Sequence, residues 1–122
     1  MAVLLGLALG LGACGGTPPS AGPATPVASG VLAINALEYE FTPAEITVPS
    51  GVVHFAVSNV GSLDHEFEVM SGEVSLGKIG AFSRGTTKDL TVPLEAGSYT
   101  FICRLNGHDQ LGMKGTLTVT GS

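Results

Sequence analysis

The chain has 122 residues, a formal charge of −5, two cysteines and 18 glycines. That length allows one small domain and excludes a two-domain enzyme with a cleft between its halves. The acidic balance supplies no phosphate-binding footprint and argues against nucleic acid as a partner. With only 12% charged residues and so much glycine, the composition suits a turn-rich β domain better than long helices.

Residues 1–13 read MAVLLGLALGLGA and carry no charge. The apolar run is too short to span a bilayer as a permanent helix, but its length suits the core of a signal peptide. It closes on Leu11-Gly12-Ala13-Cys14, which resembles the bacterial lipobox. That resemblance implies cleavage before Cys14 and attachment of lipid to it; otherwise Cys14 is incidental to an ordinary signal. No Lys or Arg precedes the run, where a secretory signal carries one. A start upstream of Met1 would account for that. Residues 14–29 continue from Cys14 into GGTPPSAGPATPVAS, dense in Pro, Gly, Ser and Thr. The stretch has almost nothing to bury and is expected to be a disordered tether. A single folded domain is expected over residues 30–122.

Within that domain, residues 31–37 and 45–48 are apolar, β-branched runs, and Pro49-Ser50-Gly51 signals a turn. Residues 52–58 alternate, with Val53, Phe55 and Val57 on one face and His54, Ala56 and Ser58 on the other. Residues 65–70 alternate again: His65, Phe67 and Val69 share a face, and Glu66 and Glu68 point away. Further strands are expected over 89–94, 98–103 and 115–120. In the second of these Tyr99, Phe101 and Cys103 share a face. Residues 71–86 are rich in Gly and Ser and read as a long loop holding a short strand or a helical turn. Period-two alternation with closely spaced turns argues for an all-β sandwich of about seven to eight strands.

The same alternation places His65 and Cys103 toward the core. The loop after Cys103 has the form Cys103-x4-His108-x4-Met113. A thiolate, an imidazole and a thioether can converge there on one soft centre, and His65 from a separate strand completes His2Cys with a weak Met. Trigonal His2Cys with a long axial Met is the ligand set of a blue-copper electron-transfer centre. Four ligands leave no open position for substrate, which argues against catalysis. His54 competes with His65 for the fourth place, but it lies mid-strand on the face opposite Val53, Phe55 and Val57. Met70 is out of register with His65.

The segment YTFICRLNGHDQLGMKGTLTV, from Tyr99 to Val119, resembles the copper loop of the cupredoxins, the family of plastocyanin and azurin. Its four-and-four spacing is most similar to auracyanin and rusticyanin. Asn59-x-Gly61-x-x-x-His65 resembles the family's segment carrying the first histidine. The resemblance implies a Greek-key β-sandwich with one copper ion at one end, held by His65, Cys103, His108 and Met113. The family often has Asn directly after the first histidine, where this chain has Glu66, and Pro where this chain has Asn106. Both departures bear on the hydrogen bonding around the ligands.

The expected function is a type 1 copper protein that carries single electrons between membrane-associated or periplasmic partners, such as a cytochrome or a membrane oxidase or reductase. It is expected to be no enzyme, a monomer, exported, and held to the membrane through Cys14. The alternative is a copper carrier or sequestration lipoprotein on the same fold. A copper module serving a reductase or oxidase ranks behind both, because a separate active site needs ligands that His54 alone cannot supply. Leu63, Leu105 and Leu111 flank the ligands and are expected either to pack on the core or to form an apolar docking rim around His108. Asp64, Glu66, Glu68 and Asp109 either steer a basic partner or form an ordinary solvated face.

Overall fold

A computed structural model describes residues 25–26 and 30–121. The expected signal segment, Cys14 and most of the expected tether lie outside these residues. The described residues form ten strands and one short 3-10 segment: β1 (Thr25–Pro26), β2 (Val31–Leu37), β3 (Glu40–Thr42), β4 (Glu45–Pro49), β5 (Gly51–Asn59), β6 (His65–Ser71), β7 (Val74–Phe82), β8 (Thr87–Leu94), β9 (Gly97–Ile102), the 3-10 segment Leu105–Leu111, and β10 (Lys114–Thr120). They build two sheets, in the orders β1-β4-β10-β9-β6-β7 and β3-β2-β5-β8. Both sheets are mixed, since β2 runs parallel to β5 and β4 parallel to β10.

The strands alternate as their sequences predict. In β5, Val53, Phe55 and Val57 are buried and His54 is exposed. Every second residue of β2 and β10 is buried likewise. Such alternation buries one face of each sheet and leaves the other wet, so two sheets close on each other.

The strand count exceeds the seven or eight expected, for local reasons. β1 and β3 are two and three residues long, too short to show a period. The segment 71–86 holds a nine-residue strand, β7, rather than a loop. Its pairing with β6 shifts register twice, between the His65–Phe82 and Phe67–Ile79 pairs and again beyond Val69. Each shift inserts an extra residue on β7 and breaks the alternation. Ile79 and Phe82 are therefore its buried residues, three apart rather than two. β7 is also an edge strand, so little of it needs to be apolar.

Four phenylalanines join the sheets. Phe41 (β3) and Phe55 (β5) come from one, Phe67 (β6) and Phe101 (β9) from the other. Phe41 packs edge-on against Phe67 and Phe101 with ring centroids 5.5 Å apart. Phe55 meets Phe67 at 5.2 Å and Phe67 meets Phe101 at 5.5 Å. Each such pair contributes about 0.5–1.5 kcal/mol beyond its buried area. Gly115 of β10 lies directly opposite Phe101 of β9. A Cβ at Gly115 would collide with the Phe101 ring and lie 2.6 Å from the Ala44 carbonyl oxygen.

Gly115→Ala is therefore expected to destabilise the domain by about 1–3 kcal/mol through overpacking. Urea denaturation followed by tyrosine fluorescence reads this as a lower midpoint. An unchanged midpoint would show that the Phe101 ring can turn aside freely.

Candidate metal centre

β6 begins at one end of the sandwich, and its neighbour β9 ends there. Alternation carries the consequence to the ends: His65 lies two residues before Phe67, and Cys103 two residues after Phe101. Since both phenylalanines are core residues, both side chains point inward, and each is 0% exposed. His54 is on the wet face of β5, as the sequence suggests, and takes no part.

The loop from Cys103 to Met113 closes on itself. The Cys103 N–H donates to the Met113 carbonyl at 3.1 Å, and the Met113 N–H donates to the His108 carbonyl at 3.1 Å. Asn106 and Gly107 both adopt left-handed backbone, with φ of 50° and 76°. This reversal swings His108 back over the site, where it is 4% exposed. Met113 is fully buried and bonded through its backbone to both neighbouring candidate ligands.

His65, Cys103 and His108 each offer a ligand atom, and these atoms lie within 4.8 Å of one another. Cys103 Sγ is 3.6 Å from His108 Nδ1 and accepts the Glu66 N–H at 3.2 Å. His65 Nε2 lies 3.1 Å from Glu38 Oε1. His65 Nδ1 is buried with no hydrogen-bond partner. A buried, unpaired ring nitrogen is costly, and native proteins rarely retain one without a use. A metal ion shared with Cys103 and His108 would satisfy it. Two imidazoles and a sulfur donor, with buried Met113 bonded through its backbone to two of them, suit a soft or borderline transition metal.

Burial dominates the electrostatics of the pair. It pushes the Cys103 thiol up, against the lowering effect of the Glu66 and Leu105 amides. It pulls His65 below its ordinary value, against the attraction of Glu38. The Glu38 carboxyl is held low, first by the Leu63 N–H and also by that of Ser62.

The chain matches the family model described as "Cupredoxin-like domain" over residues 13–119. It belongs to the cupredoxin-like family. Among solved structures, it resembles auracyanin from Roseiflexus castenholzii, with a TM-score of 0.69 and 19% identity over 77% of this chain and 99% of that one. Auracyanin A from Chloroflexus aurantiacus, described as a "blue" copper protein, gives 0.66 and 20% over 79% and 100%. Rusticyanin from Thiobacillus ferrooxidans gives 0.63 and 17% over 84% and 85%. Among curated relatives, the iron uptake system component EfeO of Yersinia pestis is 35% identical over 78 residues, 64% of this chain. The chain spans about one-fifth of that relative's length.

Around this cupredoxin-like centre the three leucines that flank the ligands differ in exposure. Leu63 and Leu111 are exposed, at 45% and 59%. Leu105 is half-buried and packs on the core, the first of the two expected placements. Val60 is exposed in the loop that leads into His65. Two acidic residues also differ from expectation. Glu68 is buried and lies 3.5 Å from Arg104, and Glu66 lies 3.4 Å from Lys78, so each has a local countercharge.

Sequence reasoning missed Glu38 and Tyr39, in the turn between β2 and β3. Glu38 meets His65, and the Tyr39 ring lies 5.0 Å from that of His108. Nothing in their spacing relates them to the ligands; only the fold brings this turn to the site.

Two outcomes follow. Metal capture requires Cys103 as thiolate, and its thiol is raised while His65 is already neutral. Binding therefore displaces one proton, and apparent affinity should rise about tenfold per pH unit between pH 7 and 9. Competition titration with Cu(I) measures this; a flat profile would exclude thiolate ligation. Asn106→Pro cannot adopt a positive φ. It should weaken capture in the same titration, whereas Asn106→Gly should not.

Proposed function

We propose that this domain is a type 1 copper protein that carries single electrons. The observation that carries the reading is the closed donor set: His65, Cys103 and His108 converge, buried, with the unpaired Nδ1 of His65 among them. Met113 is proposed as the weak fourth ligand, buried beside them. Copper bound there would supply a one-electron couple. The chain's own residues do the rest. The two sheets hold the donors in nearly one arrangement for both oxidation states, which keeps reorganisation small. Leu63 and Leu111, with Tyr39, offer an apolar surface near His108 for close approach of a redox partner. Burial of every candidate ligand favours retention of the ion over release, and over access for a substrate.

The same reading makes the protein exported and monomeric. Cys14 would carry the lipid, and the residues between it and β1 would let the domain reach a cytochrome or a membrane oxidase or reductase. Auracyanin and rusticyanin, its structural neighbours, support a role in electron transfer. The EfeO likeness favours a second reading, in which the same domain serves metal acquisition as a copper-binding carrier or redox module.

The purified domain with Cu(II) is expected to turn intensely blue through thiolate-to-metal charge transfer, and ascorbate should bleach it reversibly. Cys103→Ala should abolish the colour. Met113→Gln should keep copper and lower the potential. A colourless complex overturns the assignment. A blue protein that quickly yields its copper to a mild chelator favours the carrier reading.

A further inference from the structure

We infer that Glu38 is a positioning residue for His65: its carboxylate fixes the imidazole tautomer that presents Nδ1 to the metal and lowers the reduction potential of the centre. The inference rests on the copper reading for its second half only.

Glu38 follows directly on the last residue of β2, Leu37. Its Oε1 accepts the N–H of Ser62 at 2.7 Å and that of Leu63 at 2.8 Å. The same oxygen faces His65 Nε2 at 3.1 Å. An oxygen already accepting two amides is an acceptor in the third contact as well, so Nε2 carries the hydrogen. The neutral ring then has its lone pair on Nδ1, the nitrogen that lacks any partner. A histidine that offers one nitrogen to a metal commonly donates the other to a carboxylate, which sets ring orientation and raises ligand basicity.

The surroundings are shaped for this carboxylate. Gly61 is buried, and a Cβ there would collide with the Glu38 carboxyl group. Asn59 holds the loop from the other side. Its Nδ2 donates to the carbonyls of Leu63 at 2.8 Å and Phe82 at 3.0 Å, and its Oδ1 accepts the Gly61 N–H at 2.9 Å. The amides of Ser62 and Leu63 are thereby presented to Glu38. A negative charge one imidazole away from the metal stabilises the higher oxidation state more than the lower. Glu38 therefore favours Cu(II).

The experiment has a metal-free arm and a copper arm. In the metal-free protein, 15N-resolved imidazole NMR should show His65 as the Nε2–H tautomer. Glu38→Ala should lose that preference. Glu38→Gln keeps an acceptor oxygen and should keep the tautomer while losing the charge. In the copper form, Glu38→Gln should weaken Cu(II) binding about tenfold more than Cu(I) binding. That corresponds to a rise in potential of about 59 mV for one electron. Gly61→Ala, which displaces the carboxylate without removing it, should shift the potential the same way. Glu73→Gln, an equal charge change in the distant turn between β6 and β7, should leave it unchanged. A His65 Nδ1–H tautomer, or a Glu38→Gln potential equal to that of Glu73→Gln, overturns the inference. A colourless copper form would sink the blue-copper reading alone, since the NMR arm uses no metal.

Discussion

The packing of Phe67 against Phe101 decides where everything else lies. These rings sit on neighbouring strands of one sheet, and both meet Phe41 from the other. A strand's side chains alternate, so the direction of Phe67 fixes that of His65 and the direction of Phe101 fixes that of Cys103. The site is thus an extension of the core rather than an addition to the surface. Its rigidity comes from close packing, which resists displacement by even a methylene. The same dependence explains Gly115. The ring next to Cys103 needs space that only a residue without Cβ leaves.

Building a site into a core places polar groups where water cannot reach them. A thiol tolerates this, because it behaves as a small hydrophobe. An imidazole does not, and must have its nitrogens partnered. His65 has a partner on one side and none on the other. Cys103 Sγ accepts the Glu66 N–H, although burial pushes its thiol toward the protonated form. The metal-free site is therefore incompletely satisfied. The deficit sits on His65 Nδ1, an atom a metal would use, so binding relieves a cost as well as forming bonds. That Glu66 acts through its backbone also explains how this position tolerates a residue other than Asn. The hydrogen bond to sulfur needs only the N–H, and the side chain is free to meet Lys78.

The sandwich and the three clustered donors were legible in the sequence because both depend on local periodicity. Two-residue alternation reported the faces of β5, β6 and β9, and the Cys103-x4-His108-x4-Met113 spacing reported the loop. What was not legible depends on long-range contact. β7 hid because register shifts break its alternation. Leu105 read like Leu63 and Leu111, yet the left-handed turn at Asn106 leaves it packed on the core while Leu111 stays exposed. Glu68 fell on the outer face by alternation, but its neighbour Arg104 lies over it. Glu38 and Tyr39 are 27 residues or more from the histidines they meet, and only the closure of the two sheets joins them.

The turn holding Glu38 and Tyr39 and the loop holding His108 are coupled in a way that spacing alone does not suggest. Glu38 approaches His65 from behind, and Tyr39 lies against His108, so adjacent residues support both imidazoles. The rings of His65 and His108 are themselves 5.3 Å apart. A shift of the turn would move both. The His108 loop supplies the complementary constraint. Its left-handed Asn106 costs about 1 kcal/mol or more in a residue with a side chain, and proline could not occupy that position at all. The strain is offset by closure of the loop through Cys103, His108 and Met113. Asn106 is therefore a change of backbone route rather than a neutral exchange for proline. It brings His108 over the buried donors and under Tyr39, where the ring can connect the core site to a partially exposed aromatic surface.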